Sequence, residues 1–352
     1  MKVLVLATSS VSIKLLGKIV DALKDKGNEV RYIMSPKART FNRVCGFNKN
    51  LDYADYINYS DYGEFDKEVI AYRDNDDKVI HVDLAHWADV ILVAPATANT
   101  MAKLHYGICD NVVMDTLLVA SGMNKRIVIA PAMNTNMWKA WQTERNFDSL
   151  KDRGVQFVYP TVKKLACGDY GVGALADVKA IVDKVMGVRW KFPVDTTFGN
   201  RFIPTWPHLG AFGAVRRFDI HNGVDIYCEG EKNVTAVESG TVVEMGQFTG
   251  KGVGSEWWND TWYITLKGES GYVVYGEIMY DESLQVGSKV KVGGFLGKVV
   301  PVLKKNKVRK DIKGHSDHML HIELKRELVH DGGWPLNSDR PKELLDPTAY
   351  LI

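Results

Sequence analysis

The run Lys2-Val3-Leu4-Val5-Leu6-Ala7 is apolar at every position after its first residue. A strand with one wet face alternates in polarity, whereas a strand covered on both faces does not. The run therefore predicts an interior strand of a parallel sheet. Behind it, Leu15, Leu16, Ile19, Val20 and Leu23 keep helical spacing through a segment from Val11 to Lys26, and Gly27 supplies a helix stop. The alternation then repeats. Glu29–Met34, Ala88–Ala94, Arg126–Ala130 and Gln156–Tyr159 read as further strands, with helical patterns between them. Parallel neighbours need crossover connections, and helices used as crossovers cover both faces, so a doubly wound parallel α/β sheet is expected.

Near residue 188 the texture changes. Trp190 to Gly213 holds Pro193, Pro204 and Pro207 and has no helical period, which predicts a linker at 188–209. Beyond it, Val234–Glu244, Trp262–Lys267, Tyr272–Ile278, Lys289–Val299 and His318–Glu323 read as strands separated by turn signals such as Ser239-Gly240 and Gly293-Gly294. The expected organisation is an α/β domain at 1–187 and an antiparallel all-β domain at 210–352, a division that suits a chain of 352 residues. The basic run Lys304–Lys313 reads as a solvated loop.

Charge excludes several function classes. Lysine and arginine number 45 against 43 acidic residues, a net of +2, which is no electrostatic footprint for nucleic acid or an anionic membrane. No apolar run approaches the length of a membrane-spanning helix. The apolar start is followed by Lys14 with no small-residue cleavage site, so it reads as a strand and not a signal peptide. The expected location is cytoplasmic, or a virion if the chain is phage-encoded. Cys45, Cys109, Cys167 and Cys228 are too scattered for a disulfide framework and form no Cys-x-x-Cys pair, so any cysteine that matters is expected to matter as a thiol.

Ligands of open α/β sheets bind at the carboxyl ends of the strands. Three segments are expected there: Pro95-Ala96-Thr97-Ala98-Asn99-Thr100, Pro131 to Trp138, and Ala166-Cys167-Gly168-Asp169-Tyr170-Gly171-Val172-Gly173. The first two are rich in small hydroxyl and amide side chains, suited to a phosphate, a ribityl chain or ring edges. The third sets glycines around one thiol, as a mobile flap would. Each candidate also has a structural reading. Asn134 suits an Asx turn or helix cap, Cys167 a small buried filler, and His81 a surface histidine.

Their ordered combination resembles the homo-oligomeric flavin-containing Cys decarboxylase family, above all the phosphopantothenoylcysteine decarboxylases and their plant halotolerance-protein relatives. The matching blocks are His81-Val82-Asp83-Leu84 with Trp87-Ala88-Asp89, Pro131-Ala132-Met133-Asn134 with Met137-Trp138, and Leu165-Ala166-Cys167-Gly168-Asp169-Tyr170-Gly171. The segments 95–100 and 107–111 match as well. The resemblance implies FMN at the subunit interfaces of a homotrimer or an assembly of trimers, and a small cysteinyl substrate. The implied chemistry has the flavin oxidise the substrate thiol to a thioaldehyde, which makes loss of the carboxylate as CO₂ feasible. It implies His81 as acid/base, Asn134 as the carboxylate anchor and Cys167 as proton donor in the closing reduction. Cofactor contacts are implied for Ser9, Ser10, Ser35, Phe41, Thr97, Asn99, Thr100, Ala132 and Met133, and substrate contacts for Asn134, Met137, Trp138, Gly168 and Ala174. One block departs: Ser9-Ser10-Val11-Ser12-Ile13-Lys14 lacks the glycines that the family keeps after its first strand. A helix N-terminus with hydroxyls still offers a phosphate site.

In the second half, His221-Asn222-Gly223-Val224-Asp225 and the later His321-Ile322-Glu323 carry metal-ligand chemistry. Two imidazoles and a carboxylate suit a tetrahedral zinc site with one open position. This half resembles the lysostaphin-type zinc endopeptidases that cut peptidoglycan cross-links, on His221-x-Gly-x-Asp225, on Val234 to Val243, on Val286 to Gly297 and on Leu345-Asp346-Pro347. The resemblance implies His221, Asp225 and His321 as metal ligands. Two further histidines of that family are replaced, by Glu277 in Tyr275-Gly276-Glu277 and by Met319. Methionine cannot donate to an oxyanion, and a lost oxyanion donor costs about 10²–10³-fold in rate. Glu277 retains the chemistry of a base. A degenerate metal-binding or recognition domain is therefore expected over an active peptidase, with cell-wall peptidoglycan or another protein as its partner. Two alternatives to the decarboxylase stand beside it: a non-catalytic oligomeric flavoprotein scaffold displaying the second domain, and a zinc peptidoglycan endopeptidase.

Overall fold

The apolar run at the start of the chain becomes β1 (Lys2–Ala7), flanked in parallel by β2 (Glu29–Met34) and β3 (Val90–Ala96). The computed structural model describes residues 1–48, 79–195, 202–254, 256, 258–304, 317–329 and 333–352, which divide into two units, Met1–Gly187 and Val188–Ile352. In the first unit β4 (Arg126–Pro131) and β5 (Gln156–Phe157) complete a parallel sheet of order β2-β1-β3-β4-β5. Helices α1 (Leu16–Asp25), α2 (Pro36–Val44), α3 (Ile80–Trp87), α4 (Ala98–Tyr106), α5 (Val112–Gly122), α6 (Thr135–Trp138), α7 (Trp141–Asp152) and α8 (Val178–Met186) accompany it. The expected first helix begins as a 3-10 turn at Val11–Leu15 before α1, and the chain leaves it through Gly27 at φ 76°. Leu4, Leu6, Ile91, Val93 and Ile129 are fully or almost fully buried in one core with Leu117 of α5. The doubly wound reading holds for this unit.

The segment carrying Cys167 is not a glycine loop after the last strand. β6 (Thr161–Lys164) and β7 (Tyr170–Ala174) form a separate antiparallel hairpin, with Cys167 at its tip. The tip is closed by Leu165 N–H donating to Asp169 O at 2.7 Å and Gly168 N–H to Leu165 O at 2.9 Å. The hairpin is fastened to the loop after β4, where Met133 N–H donates to Gly173 O at 2.8 Å. At Gly173, φ is 132° and a Cβ would lie 2.5 Å from the Met133 carbonyl oxygen.

The second unit is built on an antiparallel sheet. Its strands are β9 (Val224–Tyr227), β10 (Asn233–Thr235), β11 (Gly240–Thr249), β12 (Thr261–Lys267), β13 (Tyr272–Tyr280), β14 (Lys289–Val290), β15 (Phe295–Val299), β16 (Met319–Lys325) and β18 (Leu344–Leu345). A small pair, β8 (Asp219–Ile220) with β17 (Trp334–Pro335), and the terminal turn α9 (Thr348–Leu351) complete it. β16 pairs with β13 on one side and with β9 on the other. Val234–Glu244 and Lys289–Val299, each read as one strand, are each broken into two by a turn.

The described residues of the segment expected as a linker, 188–195 and 202–209, fall within this unit. Lys191 N–H donates to Val237 O and Thr235 N–H to Pro193 O, each at 2.8 Å, and Val194 is buried in the second core. Its prolines and aromatics edge a β core, which is why they carry no helical period. Of the basic run, the part at 305–313 lies outside the described residues. Among the described residues, no helix is long and apolar enough to cross a membrane.

Gly173→Ala meets both a forbidden backbone conformation and a main-chain oxygen. It is expected to destabilise the first unit by about 1–3 kcal/mol, read from its denaturant midpoint; an unchanged midpoint would refute the fastening role of that contact.

Candidate functional site

The chain runs from β1 outward to β2 and returns across β1 to β3, so the strand order switches direction between β1 and β3. A sheet of this order opens its ligand crevice at that switch, outside the carboxyl ends. The two loops there are stitched together by Thr8. Its hydroxyl donates to Pro95 O at 2.8 Å and accepts from Thr97 N–H at 3.2 Å. Ser10, next to Ser9, accepts from Ser12 N–H at 3.3 Å and opens the 3-10 turn. Thr97 caps α4 by accepting from Thr100 N–H at 3.2 Å, its hydroxyl 3.0 Å from that of Thr100. Ser35 caps α2, accepting from Ala38 N–H at 3.4 Å, and Ala132 N–H donates to Ala96 O at 2.8 Å. Asn99 is exposed, Met133 is half-buried, and Phe41 lies on α2 with its ring edge-on to Phe47. Three capped N-termini thus follow three adjacent strands, each with a hydroxyl at its entrance. Unpaired N–H groups and hydroxyls of this kind fit a phosphate-bearing ligand.

Beside that crevice, Asn134 uses both ends of its amide. Its Oδ1 accepts from Asn136 N–H at 2.8 Å, capping α6, so the structural reading is correct. Its Nδ2 donates to Cys167 Sγ at 3.1 Å and to Asp169 Oδ2 at 3.4 Å. The thiol donates to Asp169 Oδ2 at 3.3 Å. Cys167 is exposed and is not a core filler. Gly168 turns the tip at φ 93°. His81 is placed by a different element: it opens α3, which packs against α5, whereas α6 packs against β7 and α7. Trp138 lies edge-on to Phe147 and Tyr159, in an aromatic cluster, while Met137 is exposed and Ala174 buried.

In the second unit, donor atoms of His221, Asp225 and His321 lie within 4.8 Å of one another, and these residues are only 2%, 2% and 5% exposed. His321 Nδ1 is 2.9 Å from Asp225 Oδ1 and 3.2 Å from His221 Nε2, and His221 Nε2 is 3.2 Å from Asp225 Oδ1. Tetrahedral bonds of about 2.0–2.1 Å place neighbouring donors about 3.3 Å apart, so the trio fits a divalent ion with small adjustment. Each donor is held from behind. His221 Nδ1–H donates to Ala211 O at 2.9 Å, His321 Nε2–H to Glu323 Oε1 at 2.9 Å, and Arg216 Nη2 to Asp225 Oδ2 at 2.5 Å. For the two histidines, such partners fix ring orientation and raise ligand basicity. Asn222 Nδ2 donates to Glu323 Oε1 at 2.8 Å and Lys325 Nζ lies 3.3 Å from Oε2.

Burial alone would push the Asp225 carboxyl up, but the charges of His221 and Arg216 and the hydrogen bonds outweigh it and hold the group well below the usual range. Burial also works against the His321 cation, yet bonds to Asp225 and Glu323 raise that imidazole to about 10. Burial lowers His221. Met319 pairs with Tyr227 two residues along from the His321–Asp225 pair, and His318 turns to Asp317 at 2.8 Å.

Comparison with known proteins concerns the first unit. A family model described as Flavoprotein matches residues 1–189. A phosphopantothenoylcysteine decarboxylase of Mus musculus is 38% identical over 188 residues, covering 53% of this chain and 86% of the mouse protein. One of Glycine max is 39% identical over 138 residues, covering 37% of this chain and 64% of the soybean protein, which is less than two thirds of its length. A solved PPC decarboxylase mutant complexed with pantothenoylaminoethenethiol is 32% identical, covers 53% of this chain and 96% of that one, and superposes with a TM-score of 0.45.

Sequence reasoning passed over Asp169, which accepts from both the Asn134 amide and the Cys167 thiol, and Arg216, which backs Asp225. Asp169 had a signal, a carboxylate one glycine beyond the thiol; Arg216 had none, because only the fold brings it to Asp225. In the metal-free trio His321 carries a proton at neutral pH that an ion must displace. Zinc uptake is therefore expected to strengthen by about tenfold per pH unit between pH 6 and 8, measured by chelator competition. A flat profile would mean that His321 is not a ligand.

Proposed function

The chain belongs to the flavoprotein family, and from that premise we propose that its first unit is an FMN-dependent decarboxylase of phosphopantothenoylcysteine or a related cysteinyl compound, working as a homotrimer or an assembly of trimers. The observation that carries the proposal is the bonded set Asn134–Cys167–Asp169 beside the switch-point crevice. When bound, FMN supplies the two-electron acceptor that the substrate thiol needs. Ser10, Ser35 and Thr97, at the capped N-termini, would hold its phosphate and ribityl hydroxyls. The Asn134 amide, its Oδ1 kept on the α6 cap, would share its Nδ2 donor with the substrate carboxylate. Cys167, whose S–H is already directed at Asp169, would donate its proton to the substrate carbon in the closing step. His81 would serve as the acid/base, a role usually worth about 10²–10⁴-fold.

For the second unit we propose a zinc-binding domain of lysostaphin type, held by His221, Asp225 and His321, with recognition of peptidoglycan or a protein partner as its task. The convergence of three back-held donor atoms supports this reading.

An absorption spectrum of the supernatant after heat release tests the first proposal. Near-stoichiometric flavin with the mass of FMN, together with CO₂ release from the cysteinyl substrate, is the expected result. In Cys167→Ser the product should accumulate oxidised. A colourless protein that takes up no added FMN would overturn the enzyme reading and leave the first unit a scaffold.

Asn134→Asp separates cap from anchor. Aspartate caps a helix as well as asparagine, so the cap on α6 is kept, and the cost is confined to the lost Nδ2 donations and the repulsion from Asp169, about 1–2 kcal/mol. The substrate carboxylate then faces a second anion, and kcat/KM should fall by about 100-fold or more. Unchanged kcat/KM would remove Asn134 from the substrate site.

A further inference from the structure

One carboxylate in the second unit is placed at evident cost and is used by nothing described so far. Glu277 is only 4% exposed, and its Oε2 is buried with no hydrogen-bond partner among the described residues. Its backbone sits at φ 63°, in the left-handed region that glutamate avoids.

Strand pairing explains the conformation. Trp262 pairs with Ile278 and Ile264 with Tyr275, so β12 advances two residues where β13 advances three. Gly276-Glu277 therefore contains a β-bulge, a device that re-aims a side chain. Tyr275 and Ile278, which a regular strand would send to opposite faces, both lie in the core. Gly276 pairs with His321, and a Cβ there would lie 2.8 Å from the Phe248 ring, which also stands 5.3 Å from the His321 ring. The bulge thus brings an aromatic wall and a carboxylate to the same histidine. Glu277 interacts electrostatically with Asp225, His321 and Arg216, and it lies outside the donor trio.

Resting on the zinc reading above, we infer that Glu277 is a positioning residue of the metal centre, whose free carboxylate oxygen accepts a hydrogen bond from a water molecule in the ion's open fourth position. An unpartnered buried acceptor calls for a donor, and an ion-bound water is a strong one. A neighbour that holds a ligand in this way changes metal affinity when removed, typically by about 10–100-fold.

The test is zinc competition against a chromophoric chelator at one pH, with the full chain as wild type, Glu277→Gln and Glu277→Asn. Asparagine tolerates the left-handed backbone and keeps the experiment open if glutamine disturbs the bulge. Both variants are expected to bind zinc about 10–100-fold more weakly. Metal-free, both should melt no lower than wild type, because an unpartnered buried carboxylate has been replaced by a neutral amide and asparagine also eases the left-handed backbone. The visible bands of the cobalt-loaded protein should shift in both. Wild-type affinity in both variants, or a lower metal-free melting point in both, would overturn the inference while leaving the zinc site standing. Failure of the wild type to bind zinc would overturn the zinc reading itself, and this inference with it.

Discussion

The first unit's candidate chemistry depends on one close approach of main chain to main chain. Gly173 carries no Cβ, its backbone lies at φ 132°, and its carbonyl accepts from Met133 N–H at 2.8 Å. Only glycine permits that approach, and it fastens the flap hairpin to the loop after β4. Asn134 follows at once, and its amide plane is fixed by the cap on α6. With the plane fixed, Nδ2 has one direction left, and the hairpin has placed Cys167 and Asp169 there. The thiol is therefore positioned by backbone geometry and not by burial, and it stays exposed.

The second unit solves a harder electrostatic problem. Moving an ion out of water costs several kcal/mol even after relaxation, and here acidic and basic groups meet in a nearly sealed site. Asp225 interacts with His221, Arg216 and His321, and Glu323 with His321, Asn222 and Lys325, so each of these two carboxylates is matched. Glu277 is the unmatched one. Burial and the Asp225 charge push its carboxyl up to about 8, and its backbone adds about 1–2 kcal/mol of strain. A fold optimised for stability alone would carry a hydrophobic residue there.

Much of this was legible in the sequence because the signals were periodic or local. The unbroken apolar run of β1 and the helical spacing behind it depend on neighbours a few residues away, and both became the expected elements. The segment at 188–209 was less legible, for the opposite reason. Its prolines break local periodicity, but whether such a segment hangs free or edges a sheet is decided by Val237 and Thr235, dozens of residues downstream. The hairpin at 161–174 was hidden similarly, since Gly171 and Gly173 weaken the strand signal while being required by close approach to Thr135 and Met133. Glu277 was visible as a residue but not as a strained one, because a bulge exists only in the register between two strands.

Structural and functional readings of a polar residue are often set against each other, and these sites show why the opposition is false. Asn134 caps with Oδ1 and reaches the flap with Nδ2. His221 is held through Nδ1 and presents Nε2; His321 is held through Nε2 and presents Nδ1; Asp225 is held through Oδ2 and presents Oδ1. In each case the fold fixes one polar atom and thereby aims the other. A side chain with two polar atoms keeps the second one wholly free for this use, and such groups recur at both sites. Glu277 reaches the same end by another route: with neither oxygen needed for anchoring by a neighbour, the bulge in its backbone aims the carboxylate.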